Sequence, residues 1–185
     1  AFRNTSVHYL NNNPHGVRVV QVAGSVIEVL VVPRELMKEA KEVAAGMSRR
    51  GIYFLVEERE GRNLPRMYVG QTQNGIERLY DHKAKKDFWT TAVMFVAKDD
   101  HFPLDVISAL EKVAIEGVVN CGRYTSDNKV DPKFNIGIFQ RQVVEKYFDD
   151  IKFVMASLGW SVDCADAAAQ GEWHTTRNGI TAHGN

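Results

Sequence analysis

The chain of 185 residues is 44% apolar and 25% charged, the balance of a soluble globular domain, alone or with an appendage. That composition excludes disordered and collagen-like chains, and no apolar run approaches the roughly 20 residues of a membrane-spanning helix. Basic and acidic residues balance at 23 each, so no global basic excess marks a chain that lives by tight nucleic-acid binding. With no basic, apolar leader and cleavage site, the expected location is the cytoplasm. Cys121 and Cys164 stand apart from each other and from any zinc-type cluster, and read as free thiols.

Residues 17–22 (VRVVQV) and 25–32 (SVIEVLVV) are β-branched runs separated by Ala23-Gly24, which predicts a hairpin. Pro33 ends the second run. Leu36, Ala40 and Val43 then recur at helical spacing over 35–45, with Gly46 as the stop. This ββα segment, residues 1–48, carries no evident chemistry.

A second unit follows over 49–125. Residues 51–56 (GIYFLV) and 67–70 (MYVG) predict an antiparallel pair joined by a charged loop. The turn 71–75 leads into a helix over 76–86. Residues 91–97 (TAVMFVA) predict a third strand, and Pro103 opens a helix over 104–119. Trp89 reads as core or hinge packing rather than base stacking. Residues 122–135 are polar and loop-like, and 139–158 form an amphipathic helix, so 126–160 reads as a loop and helix packed on the core. Residues 161–185 turn small and polar, as in a linker with a short tail.

Three groups of side chains bear chemistry. Alternation along the strands turns Tyr53 and Tyr68 away from their apolar neighbours, so the two tyrosines can meet on one surface. Each alone is also an ordinary strand residue. On the helix over 76–86, Ile76, Leu79, Tyr80 and Lys83 share one face. Arg78 and His82, four residues apart, lie together on the other. Glu111 falls between Ile107, Ile115 and Val118 on the helical wheel, off the polar face of Asp105, Ser108, Lys112 and Glu116. A carboxylate so placed is costly unless a cation or donor meets it.

In order, the chain presents GIY at 51–53, YVG at 68–70, Arg78 and His82 on the next helix, and Glu111 on the helix after the third strand. That order resembles the GIY-YIG nuclease family. GVRVVQV, VPRELMKEA, KDFWTTAVMFVAKDDHF and LEKVAIE look like its bacterial and phage-type branch, in which a ββα segment precedes the nuclease core and a helix follows it. The resemblance covers nearly the whole chain, and 161–185 looks like the opening of a further domain. It implies an α+β fold with a small central three-stranded antiparallel sheet flanked by helices, an N-terminal ββα extension and a C-terminal helix.

The activity implied is metal-dependent endonucleolytic cleavage of DNA, with Mg2+ or Mn2+ held by Glu111. Arg78 would hold the scissile phosphate. His82 would orient the nucleophile or a phosphate oxygen. Tyr53 would act as base or proton relay with Tyr68 as its partner, although a phenol of pKa near 10 is a poor base unless its surroundings help. Lys83, Lys85 and Lys86 would touch backbone phosphates. Asn128 stands where many members carry an Asn that steadies the site, with Asn120 and Asn135 as the other candidates. Two alternatives share these residues: a nuclease acting on RNA, and a non-catalytic module that binds nucleic acid or protein. The balanced charge leaves substrate targeting to a further C-terminal domain, a partner or a homodimer.

Overall fold

A computed structural model describes residues 1–100, 102–129 and 137–163. The expected linker and tail, with Cys164 and Asn135, lie outside the described residues. The strands are β1 (Thr5–Tyr9), β2 (Arg18–Val22), β3 (Ile27–Pro33), β4 (Gly51–Val56), β5 (Arg66–Thr72), β6 (Thr91–Ala97) and β7 (Thr125–Ser126). The helices are α1 (Met37–Ala44), α2 (Glu77–Lys85), α3 (Leu104–Cys121) and α4 (Ile138–Ser157).

The expectation of a three-stranded sheet is corrected. All seven strands form one mixed, mostly antiparallel sheet in the order β1-β2-β3-β6-β4-β5-β7. The expected three strands are its β6-β4-β5 portion. The N-terminal hairpin joins it because β3 pairs with β6 along its whole length, from Ile27 opposite Ala97 to Pro33 opposite Thr91. An edge at β6 would have left a row of apolar strand residues and backbone groups open to water. The β5–β7 pair alone is parallel.

Helices cover both faces of this sheet. Ile52, Phe54, Val56, Val93 and Phe95 pack toward α3 and α4, while Tyr53, Leu55, Met94, Val96 and Leu79 pack on the side of α1 and α2. Every residue of β4 and β6 is therefore buried, whichever way it points. Two helices differ from expectation at their starts. A 3-10 turn at Arg34–Leu36 precedes α1, and α2 begins at Glu77. Trp89 is fully buried, as expected. Cys121, expected as a free thiol, is disulfide-bonded. The sequence separation hid the fact that the chain after α4 returns to α3, where the Ser161 carbonyl lies 3.3 Å from the Cys121 sulfur. Among the described residues no helix is long and apolar enough to cross a membrane.

Candidate active site

The two glycines of the strand motifs are packing requirements. Gly51 lies where β4 meets β6, and a Cβ there would run into the Phe95 carbonyl. Gly70 lies opposite Tyr53 in the β4–β5 register, and a Cβ there would enter the Tyr53 ring. The missing side chain at 70 thus gives the Tyr53 phenol room to lie across β5.

From that bed the Tyr53 hydroxyl meets the His82 Nε2 at 2.5 Å. Tyr53 is fully buried and His82 is 5% exposed. The helix face expected to carry Arg78 and His82 together is therefore split. Arg78 is exposed, whereas His82 is turned into the sheet beside the buried Leu79. On the wheel His82 stands next to Leu79, and docking on β4 and β5 widens the buried arc enough to take it in.

Tyr68 completes an aromatic cluster. Its ring centroid lies 6.3 Å from that of Tyr53 and 5.2 Å from the imidazole of His82. Its hydroxyl has no hydrogen-bond partner among the described residues. Lys86 stacks its ammonium 4.5 Å from the centre of the Tyr68 ring and forms an ion pair with Asp127. This lysine, expected among the phosphate contacts, is thus built into the wall of the site. Lys83 and Lys85 are exposed.

Burial sets the protonation states. Desolvation, followed by the charges of Arg78 and Lys86, lowers the His82 pKa from 6.5 to about 4, so the imidazole is neutral at pH 7. Burial, then the neighbouring Tyr68, pushes the Tyr53 phenol well above its ordinary value of 10. Arg78 works against that rise, and Glu111 adds to it. Both groups are therefore close enough to act on the phenol. Arg78 also pairs with Asp81 at 3.6 Å, one turn along α2.

Glu111 reaches the cluster from the α3 side, at the outer edge of β5. That edge is closed by successive partners. The Asp127 N–H donates to the Met67 carbonyl at 2.9 Å. Asn128 then takes both backbone groups of Val69: its Oδ1 accepts the N–H at 2.9 Å, and its Nδ2 donates to the carbonyl at 2.8 Å. Gln71, two residues on, faces the same side, and its N–H is turned to the Glu111 carboxylate. Asn128, expected as a residue that steadies the site, has its side-chain amide engaged on the backbone of β5. Asn120 is exposed near the end of α3.

Glu111 is half-buried. Desolvation raises its pKa, while Lys112 and the Gln71 N–H oppose the rise. Among the described residues no three histidine, cysteine or carboxylate side chains gather as a metal cluster. A single desolvated carboxylate nevertheless fits a hard divalent cation that keeps several waters and takes further oxygens from a phosphate.

Arg34 is a supporting residue that sequence reasoning missed. Its guanidinium donates to the carbonyls of Lys83 and Lys86 at 2.8 Å each, and lies 4.7 Å from the centre of the Trp89 ring. It therefore caps the C-terminal end of the helix that carries His82. An Arg directly after a strand-ending Pro was the only sign of it in the sequence. Compared with known proteins, the chain matches no family model, no curated protein and no solved structure.

Proposed function

We propose that the chain is a metal-dependent endonuclease that hydrolyses phosphodiester bonds in DNA, built like the GIY-YIG nucleases it resembles. The observation that supports this most is the meeting of Tyr53, Tyr68, Arg78 and His82 on one side of the β4–β5 pair, with Glu111 at its edge. A neutral imidazole held against a protonated phenol is a proton acceptor aimed at a proton relay.

In this reading His82 carries its proton on Nδ1, and Nε2 accepts the hydrogen bond from Tyr53. Tyr53 is fully buried, so Arg78 turns from it to the phosphate to admit a water, which attacks phosphorus. Its proton passes to the Tyr53 oxygen as the phenol proton passes to His82 Nε2. The new P–O bond forms as the P–O3′ bond breaks, and the 3′-oxygen leaves. Tyr53 acts as relay rather than base, because burial disfavours its phenolate. Arg78 donates to the phosphate oxygens as charge builds on them, and the free Tyr68 hydroxyl orients the water or a phosphate oxygen. Glu111 would hold Mg2+ or Mn2+, which supplies Lewis-acid stabilisation of the leaving oxygen.

The test is nicking of supercoiled plasmid with and without Mg2+ or Mn2+, beside Glu111→Ala. Metal-dependent nicking is expected of the native chain, with a loss of at least about a hundredfold in the variant, the scale of a removed electrostatic stabiliser. Mg2+ is also expected to raise the melting temperature of the native chain and not that of the variant. Binding without cleavage would favour the non-catalytic module, and parallel reactions on RNA decide the substrate class.

A further inference from the structure

The strongest unexplained charges outside the cluster lie at the opposite end of α2. Arg49 and Arg50 immediately precede β4, and both are exposed. Neither has an acidic partner among the described residues. The neighbouring carboxylate of Glu77 is already paired with Lys41 at 3.0 Å. Both residues line one hollow, so their positive charges raise the potential in the same space and favour an anion there.

They also line a concave surface. Met47, Ser48, Arg49, Arg50 and Gln73 line an open hollow of about 480 Å³. A second hollow of about 310 Å³ shares Met47, Ser48 and Arg49 and runs to Asn74 and Glu77 at the start of α2. The Arg49 carbonyl accepts the Gly75 N–H at 2.8 Å, and Gly75, at φ 61°, makes the turn that brings Gln73 back beside the arginines. The position of the pair relative to α2 is therefore fixed by backbone.

This geometry aligns with the proposed centre. The register sets Gly51 opposite Thr72 and Tyr53 opposite Gly70. At about 3.3 Å per residue, Arg50 lies roughly 10 Å along the chain from Tyr53. Lys83 and Lys85 stand at the other end of α2, whose nine residues span about 13 Å. Exposed cations thus bracket the helix that carries Arg78 and His82. A DNA strand presents a phosphate about every 3.4 Å of axis, so that length matches about four phosphates.

We propose that Arg49 and Arg50, with Gln73 opposite, form a second phosphate-binding position for the same nucleic-acid strand, beyond the Arg78 end of α2. The identity of the ligand rests on the nuclease reading above. Guanidinium groups grip phosphate oxygens two at a time, and the Gln73 amide adds a neutral donor. The position grips the backbone without reading sequence. It would supply locally the affinity that the balanced overall charge withholds.

The test is binding of a short DNA duplex, measured against salt and without divalent metal so that cleavage does not intervene. The native chain is compared with the double variant Arg49→Gln, Arg50→Gln and with a control, Lys38→Gln, Lys146→Gln, that removes the same charge elsewhere. Thermal melts establish that each is folded. The double variant is expected to bind about tenfold or more weakly at about 0.1 M salt, with a log–log salt slope shallower by about 1.8. The control is expected to change both far less. If the native chain cleaves DNA but the double variant keeps its affinity and slope, the second position is refuted and the nuclease reading stands. An equal loss in the control also refutes it. If the native chain binds neither DNA nor RNA, both readings fall.

Discussion

Burial of the Tyr53–His82 contact fixes the charge of both side chains and makes the molecule sensitive to acid. The folded His82 pKa of about 4 lies below its ordinary value of 6.5, so the unfolded chain binds the extra proton first. The contribution of the neutral histidine is complete above pH 6.5 and is lost as pH falls toward 4. The difference amounts to about 3 kcal/mol. Urea unfolding across that range should show the loss in the native chain and a flatter slope in His82→Gln. An equal slope in the variant would place the acid sensitivity elsewhere. Gly70 gives a steric test of the same contact. Gly70→Ala drives a methyl group into the Tyr53 ring and should cost about 1–3 kcal/mol. It should also move the His82 ring resonances, because the phenol must leave its bed. Unchanged stability and resonances would contradict the packing of Tyr53 over Gly70. At this scale the residue types were legible from spacing, including a carboxylate at Glu111 set among apolar neighbours. The burial of His82 was not, because a helical wheel carries no information about the sheet on which the helix docks.

Whole elements place these residues, and α2 depends on a residue far from it in sequence. Arg34, supplied by the N-terminal segment, satisfies carbonyls at the end of α2 and stacks on Trp89. Hydrogen bonds from a charged donor are worth about 1.5–3 kcal/mol. Arg34→Ala should therefore destabilise the protein by about 2–3 kcal/mol and speed hydrogen exchange in the last turn of α2. Arg34→Lys should recover little, since an ammonium cannot span both carbonyls in a planar fork. Exchange unchanged in both variants would contradict the capping role. The long elements were legible because hydrophobic period and turn residues agree along β2, β3, β4, β6, α3 and α4. Two strands were not. In β1 all five residues are exposed, so TSVHY shows no buried face to read. β7 has two residues and exists because Thr125 and Ser126 pair with the outer edge of β5.

For the whole molecule, the N-terminal hairpin, β6 and the β4–β5 pair make one continuous sheet, and the candidate centre lies toward one end of it. The β3–β6 pairing was hidden because strand order is a matter of contacts distant in sequence, and both strands are apolar enough to have been central or edge. The residues of the site come from β4, β5, α2 and α3, so its function depends on the assembled sheet rather than on any one motif. That gives the central claim a direct test in Tyr53→Phe, which keeps the ring and removes the hydroxyl facing His82. Single-turnover cleavage of DNA in Mg2+ should fall by about a hundredfold or more, the usual worth of a positioned proton-transfer group, with the fold intact by thermal melt. A Tyr53→Phe protein that is folded and cleaves at the native rate would contradict the proposed relay and the centre built around it.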